Sequence, residues 1–244
     1  MPEHLSLVLP VHNCTDELSA GMPELLAAFE AWEWQVEVIV VDDGSEDGGI
    51  IAAHCKSWNC RYLRNESARG KGNAVRKGIL SATAPVVMFM DGDFPFDLET
   101  VHRLVSMMQQ TNAGIVIGNR TDPQSQYPKD LPLQRQLGSY LLSRFIRMLN
   151  LTVFKDTQCG IKCFRTSVGH ELFSRAKEDG FAFDIEILAL AQQLRIPVVT
   201  IPVSVKPQAT TTVKVFRHGW QTLRRCLAIW YNQKIQLHET GMGK

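Results

Sequence analysis

Apolar residues in this chain fall into short unbroken runs that alternate with longer stretches of helical spacing. Leu5-Ser-Leu-Val-Leu-Pro10, Val36-Glu-Val-Ile-Val-Val41 and Pro85-Val-Val-Met-Phe-Met90 read as strands. Val36–Val41 is continuous enough to be covered on both faces, as in a parallel sheet. Between the first two strands, Leu18, Met22, Leu25, Leu26 and Phe29 recur at helical spacing and predict a helix over Thr15–Trp32. Further helices are predicted over Gly48–Ser57 and from the glycine-containing stretch Arg69–Gly78, with a short strand over Cys60–Arg64. Strand, helix, strand, helix in this order predicts an α/β protein with a mostly parallel central sheet and helices on both faces.

The second half is less regular. Gly114–Gly118 reads as a strand leading into Asn119-Arg120, and the proline-rich polar stretch Thr121–Pro132 reads as a loop. A helix is predicted over Leu133–Leu149, a strand over Cys159–Phe164, a helix over Ile185–Leu194 and a strand over Val198–Val205. A final helix is expected over Phe216–Gln236. Its Phe216, Trp220, Leu223, Leu227 and Trp230 form one stripe, with Arg217, Arg224 and Arg225 set off from it. That pattern suits a helix lying on an anionic lipid surface, and equally one docked on the protein's own core or on a partner subunit.

Composition narrows the class. With 244 residues, 45% hydrophobic and a net charge of +1, the chain is long enough for a real core, which excludes disordered, collagen-like and small disulfide-scaffold proteins. Its apolar runs Ala84–Met90 and Ile196–Val205 fall short of the roughly 18 residues of a spanning helix. Cys55/Cys60 and Cys159/Cys163 lack zinc or thioredoxin spacing, and no basic leader precedes the first strand, so reduced cysteines in a cytoplasmic protein are expected. The near-zero net charge hides a segregation: acids crowd the first hundred residues, while none occurs from Ile187 to His238. One half is suited to cations and the other to anions, unless the clustering belongs to a solvated face.

The three most chemically loaded motifs, after Val8/Leu9, after Val41 and after Met90, all sit at the carboxyl ends of predicted strands, where ligands bind in open α/β sheets. Asp91-Gly92-Asp93 offers two carboxylates that can hold a hard cation such as Mg²⁺ or Mn²⁺, a diphosphate supplying further oxygens. The same residues suit an ordinary turn in which Asp caps the next helix. Asp42-Asp43-Gly44-Ser45 could accept hydrogen bonds from a base or a ribose, or cap a helix. Gly70-Lys71-Gly72 has the look of a phosphate loop without the full Walker spacing, and a solvated turn reads as well.

Leu9-Pro-Val-His-Asn13, Val40–Ser45, Arg69–Ala74 and Asp91-Gly-Asp93 occur in an order and spacing that resembles the family 2 inverting glycosyltransferases of the GT-A, nucleotide-sugar-binding fold. Gly118-Asn-Arg120, Asp156–Lys162 and Gly180–Glu186 resemble the polyprenyl-phosphate branch of that family. Within it they are more similar to dolichyl-phosphate glucosyltransferases than to dolichol-phosphate mannose synthases. The resemblance covers roughly residues 5–215, taken as the catalytic domain (1–215). The basic helix and tail, 216–244, belong to the same domain or lie at a membrane.

The resemblance implies roles residue by residue. Pro10, His12 and Asn13 match the segment lying against base and ribose, with His12 where a tyrosine is usual and Cys14 where a glutamate is usual. Asp42 and Asp43 match base- and ribose-binding acids, and Lys71 would lie near the nucleotide. Asp91, Gly92 and Asp93 match the metal and diphosphate motif, with Asp91 and Asp93 as metal ligands. Pro95 stands where the mannose-synthase pattern has a glutamine, so Asp97 or water would replace that ligand. Arg120, Arg135 and Ser139 match positions that bind the acceptor phosphate, a fit of guanidinium and hydroxyl to phosphate. For Arg135 and Ser139 the polar face of an amphipathic helix is the alternative. Lys206 and Lys214 flank a Thr-rich loop resembling one that closes over the diphosphate. Asp93, Arg120 and Asp156 are the expected catalytic set, with Asp156 either a general base or an orienting group.

The implied activity is transfer of a hexose, glucose favoured, from a nucleotide-diphosphate sugar to a polyprenyl phosphate. A family member acting on a hydroxyl acceptor, or an idle nucleotide-sugar-binding subunit, stays open. The expected partners are the nucleotide sugar, the polyprenyl phosphate, and a membrane surface or membrane subunit. A homodimer is open and no nucleic acid is expected. The 244 residues would make one complete transferase domain, peripheral on the cytosolic membrane face.

Overall fold

The computed structural model describes residues 4–126, 133–206 and 222–232, without the side chains of 133–137, 139 and 140. Seven strands form one sheet in the order β3-β2-β1-β4-β6-β5-β7. In chain order the elements are β1 (His4–Val11), α1 (Thr15–Ala31), β2 (Gln35–Asp42), α2 (Gly48–Ser57), β3 (Arg61–Arg64), α3 (Lys71–Ser81) and β4 (Val86–Met90). They continue with α4 (Leu98–Gln110), β5 (Ile115–Asn119), α5 (Leu133–Met148), β6 (Ile161–Arg165), α6 (Thr166–Arg175), α7 (Phe183–Gln193) and β7 (Val198–Pro202). A last helix, α8, runs over residues 222–232.

The strands alternate their side chains between two helical layers. Leu5, Leu7 and Leu9 of β1 pack with Leu18, Met22 and Leu25 of α1. The intervening Val8 packs with Ala74, Val75 and Ile79 of α3. All five residues of β4 are buried, as expected of a strand covered on both faces. β1, β2, β3 and β4 run parallel, as do β5 and β7, while β6 is antiparallel to both β4 and β5. The expected mixed α/β class with a mostly parallel sheet is what the chain forms. Two antiparallel pairings with β6 leave β5 pointing the same way as β4, so the carboxyl ends of β1, β2, β4 and β5 share one edge.

Two helices lay outside the expectations from sequence. α4 is capped by Asp97, whose side chain accepts from the Thr100 amide, and it buries Val101, Leu104, Val105 and Met108 at helical spacing. α6 begins immediately after β6 with no turn residue to mark the change.

A smaller cluster joins α5, α7 and α8 through Ile146, Ile185, Ala189, Cys226 and Ile229. The inward face of α8 is therefore Thr222, Cys226 and Ile229, four and three residues apart, and Leu227 is exposed. This corrects the aromatic stripe drawn from sequence. Leu223 and Trp230 are half-buried beside that face, Phe216, Trp220 and Arg217 lie outside the described residues, and Cys226 does the packing of a small hydrophobe.

Candidate functional site

The shared carboxyl edge gathers the motifs. Val11 pairs with Asp42 in the β1/β2 register, and Met90 pairs with Ile161 in the β4/β6 register. The turns after β1, β2 and β4 and the start of β6 thus lie along one rim, with Asn119 and Arg120 at the end of β5.

The β1 and β2 turns are stitched together. Asn13, at a left-handed φ of 51°, donates its amide to Ser45 Oγ at 3.0 Å and accepts from the Glu46 amide through Oδ1 at 3.0 Å. Asparagine tolerates that conformation better than most residues. His12 is exposed, and its Nδ1 stands 3.0 Å from the Asp43 carbonyl oxygen. That oxygen can only accept, so Nδ1 carries the proton of the bond. Cys14 lies beneath, and burial pushes its thiol up to about 11, with the Glu17, Asp93 and Asp47 carboxylates acting the same way.

The two adjacent acids have separate tasks. Asp42 is fully buried and accepts from the Ser45 amide at 2.8 Å, the Tyr62 hydroxyl at 2.7 Å and Arg64 Nη1 at 2.5 Å. Burial raises its carboxyl, but these bonds and the Arg64 charge outweigh that and hold it below the usual carboxylate range. Asp42 is thus engaged inside the fold in this geometry, with no accessible surface turned toward the base or ribose that the resemblance implies. Asp43 accepts from the amides of Arg69 (2.9 Å) and Gly70 (2.7 Å) and from Asn65 Nδ2 at 2.8 Å. Two amides of the glycine loop are therefore committed to Asp43 rather than open to a phosphate. Gly70, at φ 112°, is where the chain turns into α3, and a Cβ there would strike the Asp179 carbonyl.

Lys71 opens α3, and its Nζ stands 2.5 Å from Asp91 Oδ1. Burial works against its charge, but Asp91 and Asp184 outweigh it and raise its basicity. The Asp91 amide donates to the Gly160 carbonyl at 3.1 Å, and the Asp91 carboxylate packs where a Cβ on Gly160 would be. Gly92 packs against Val11 and the Pro10 carbonyl at the end of β1. Asp93 is exposed beyond it, and Phe94, at φ 49°, turns the chain back into the core. Pro95 accepts the Lys206 amide through its carbonyl at 2.7 Å. Lys206 sends its ammonium to Glu24 of α1 at 3.1 Å, and Lys214 lies outside the described residues.

Among the described residues there is no group of three or more His, Cys, Asp or Glu side chains able to hold a metal. The donor set still fits a hard cation bound from one side. Two carboxylates lie on one short turn, Gly160 leaves the space that the inner one occupies, and phosphate and water oxygens would complete the shell, as Mg²⁺ and Mn²⁺ accept. Asp97 caps α4, so its Oδ1 is already engaged in the position proposed to stand in for a third ligand.

At the end of β5, Asp156 accepts three bonds from Arg120: from its amide at 2.8 Å, Nε at 2.9 Å and Nη2 at 2.7 Å. Burial raises the Asp156 carboxyl, but the Arg120 bonds and charge more than offset this and hold it below its ordinary value. Both carboxylate oxygens are thus engaged by Arg120, the arrangement of the orienting alternative rather than of a free base. Arg135 and Ser139 sit in α5, but their side chains lie outside the described residues.

Residues that sequence reasoning gave no role complete the site's floor. Lys162 and Asp184 are buried and paired at 2.5 Å, and burial pushes the Asp184 carboxyl up despite the Lys162 and Lys71 charges. Asp179 accepts from Asn73 Nδ2 at 3.1 Å and Arg76 Nη1 at 2.6 Å, tying the loop before α7 to α3. The signal available was a charged residue inside an apolar run, as in Ile161-Lys-Cys-Phe164.

The model of the family described as Glycosyl transferase family 2 matches residues 6–168. A dolichyl-phosphate beta-glucosyltransferase of Dictyostelium discoideum is 28% identical over 215 residues, which is 82% of this chain and 66% of that protein. A human protein of the same description is 30% identical over 218 residues, 83% of this chain and 67% of that protein. The chain thus spans about two thirds of the length of these curated relatives. Among solved structures, glucosyl-3-phosphoglycerate synthase from Mycobacterium tuberculosis with Mn²⁺, UDP-glucose and phosphoglyceric acid superposes with a TM-score of 0.69. It is 16% identical and covers 93% of this chain and 80% of that one. Mannosyl-3-phosphoglycerate synthase from Rubrobacter xylanophilus gives a TM-score of 0.67 at 17% identity, covering 99% and 76%. At these identities the two structures speak to the fold alone.

Proposed function

The chain belongs to glycosyl transferase family 2, and from that premise we propose that it transfers glucose, with inversion, from UDP-glucose to the phosphate of a polyprenyl carrier of the dolichyl type. The observation that carries this reading is the Arg120–Asp156 pair at the end of β5, on the rim that also holds Asp91 and Asp93. A hydroxyl acceptor needs a base, and the carboxylate available for that task is bound to Arg120 through both oxygens. A phosphate acceptor is already an anion and needs an oriented cation instead, which Arg120 supplies. The names of the relatives point to the same acceptor and sugar.

In this reading His12, fixed by its bond to the Asp43 carbonyl, lies against the uracil, and Asn13 and Ser45 keep that turn in place. Asp43 holds the glycine loop so that Lys71 faces the diphosphate side. Arg120 seats the acceptor phosphate, and Asp156 keeps its guanidinium aimed. A divalent ion held by Asp93 and Asp91 would supply charge neutralisation of the departing diphosphate. The acceptor oxygen attacks the anomeric carbon from the face opposite the leaving group, which inverts that centre. Arg135 and Ser139 of α5 and Lys214 are assigned to the acceptor phosphate and the diphosphate on the resemblance.

We place the protein at the cytosolic membrane face through α5 and α8. No helix of the described residues is long and apolar enough to cross a membrane. Leu141, Met148, Leu227 and Tyr231 are exposed on α5 and α8, beside exposed Arg144, Arg147 and Arg224. Apolar side chains among arginines suit an anionic lipid surface.

The test is direct. The full chain is incubated with Mg²⁺ or Mn²⁺, a short polyprenyl phosphate, and UDP-glucose, GDP-mannose or UDP-GlcNAc in turn. Glucosyl transfer to the phosphate is expected; no transfer from any donor overturns the reading.

A further inference from the structure

We propose that Lys162 and Asp184 are a buried positioning pair for the donor side of the site, acting on Asp91 and Lys71 without touching the ligand. The proposal rests on the donor reading above. Lys162, in β6, has no exposed surface, and Asp184 in the first turn of α7 has almost none. Lysine is buried to this degree only when paired. Its ammonium donates to Asp184 Oδ1 at 2.5 Å and to the Cys159 carbonyl at 2.8 Å, and lies 5.4 Å from the Phe89 ring centre.

Both partners reach the Asp91 turn by separate routes. Cys159 precedes Gly160, whose carbonyl takes the Asp91 amide and whose missing side chain makes room for the Asp91 carboxylate. Lys162 and Asp91 thus pin two successive carbonyls of one short segment. On the other side, Phe183, next to Asp184, packs against Gly72, next to Lys71, which brings the first turns of α7 and α3 together, and Lys71 is itself paired with Asp91. Asp91–Lys71 at the half-exposed rim and Asp184–Lys162 in the core are therefore two neutral ion pairs whose backbones are joined on both sides. A buried ion pair can often be exchanged for apolar residues of similar volume at no cost in stability. Stability alone is thus a poor reason to keep this one, and the double link to Asp91 and Lys71 is a better one.

The experiment follows from that exchange. Removing one partner strands a buried charge, so the main variant is the double Lys162→Met/Asp184→Leu. Lys162→Gln/Asp184→Asn, which nearly keeps both shapes and removes both charges, is the second variant. UDP binding in the presence of Mn²⁺ is measured by calorimetry, and melting temperature is recorded alongside. For the first double variant, a melting temperature near wild type with at least about a tenfold loss of UDP affinity is expected, the size typical of groups behind a metal site. Wild-type UDP affinity in the folded double variant makes the pair purely structural and overturns the proposal. If the first double variant does not fold, Lys162→Gln/Asp184→Asn decides: a loss of similar size supports the pair, and unchanged affinity overturns it. A wild-type chain that binds no UDP removes the donor reading and this proposal with it, a result distinct from the other two.

Discussion

Asp156 grips Arg120 at three points, the backbone amide, Nε and Nη2, so the residue that ends β5 is fixed in both its main chain and its side chain. Nε and Nη2 go to different carboxylate oxygens, which sets the plane of the guanidinium as well as its position. Asp156→Ala should therefore raise the KM for the acceptor phosphate by about tenfold or more, the usual scale for a group that orients a binding residue, while UDP affinity stays within about twofold. Arg120→Ala should cost more in the same parameter. Steady-state kinetics with varied acceptor checks this; an unchanged acceptor KM with reduced UDP affinity would place Arg120 on the donor side instead.

The same pair has a pH signature. The folded carboxyl of Asp156 titrates below its unfolded value, as does that of Asp42. The unfolded chain then takes up these protons first as pH falls. The stabilisation is fully present above the unfolded value of about 4, and is lost as pH drops through the folded value. Asp184 is shifted upward and has the opposite sign, its contribution fading as pH rises through its folded value. Melting temperature should thus fall below about pH 4 in wild type. It should fall less steeply in Asp156→Asn, which starts lower at neutral pH. Parallel curves for the two proteins would show that Asp156 carries no such stabilisation.

Much of this site was legible before any coordinates, because runs such as Val86–Met90 have one geometry open to them and the motif after each such strand must lie at its carboxyl end. What was not legible is pairing across long separations. Arg120 meets Asp156 36 positions away, and Arg64 meets Asp42 22 away; neither partner differs in sequence from an ordinary surface charge. Asp42 therefore read as a ligand contact although it is sealed by Tyr62 and Arg64. α4 has a cap and a clear periodicity, but Asp97 so close behind Asp91-Gly-Asp93 is as compatible in sequence with a metal ligand as with a helix cap. In α8 the bulkiest apolar residues mark a different stripe from the buried one, which Cys226 and Ile229 make.

The metal turn separates chemistry from stability. Asp93 is exposed, and a surface substitution there should shift stability by no more than about 0.5 kcal/mol. Asp93→Ala should abolish turnover and weaken Mn²⁺-dependent UDP binding with an unchanged melting temperature. Gly160→Ala should reach a similar end from behind, since its new methyl would collide with the Asp91 carboxylate. Forcing a methyl into a filled space costs about 1–3 kcal/mol, so a modest drop in melting temperature should accompany it. Calorimetry with UDP and Mn²⁺ on both variants checks the pair of claims; full activity in either would detach this turn from catalysis.

Membrane attachment has to be tested on the outer faces of α5 and α8, because the inner face of α8 belongs to the fold. Cys226 and Ile229 close a cluster with Ile146, Ile185 and Ala189, so deleting residues 216–244 would strip that cluster and confuse unfolding with loss of binding. Ile229→Ala alone should cost about 2–5 kcal/mol, as for buried large-to-small changes elsewhere. Leu227 and Tyr231 are exposed at 47% and 61%, and Leu141 and Met148 at 54% and 70%. A glutamate at these positions removes apolar contact and adds charge repelled by anionic lipid, with little disturbance of packing. The quadruple variant Leu141→Glu/Met148→Glu/Leu227→Glu/Tyr231→Glu should therefore sediment poorly with vesicles rich in anionic lipid, where wild type sediments well. It should keep its turnover on a short, water-soluble polyprenyl phosphate. Equal sedimentation of the two proteins would remove α5 and α8 as the membrane-facing surface, and loss of turnover on the soluble acceptor would place these side chains in the acceptor site.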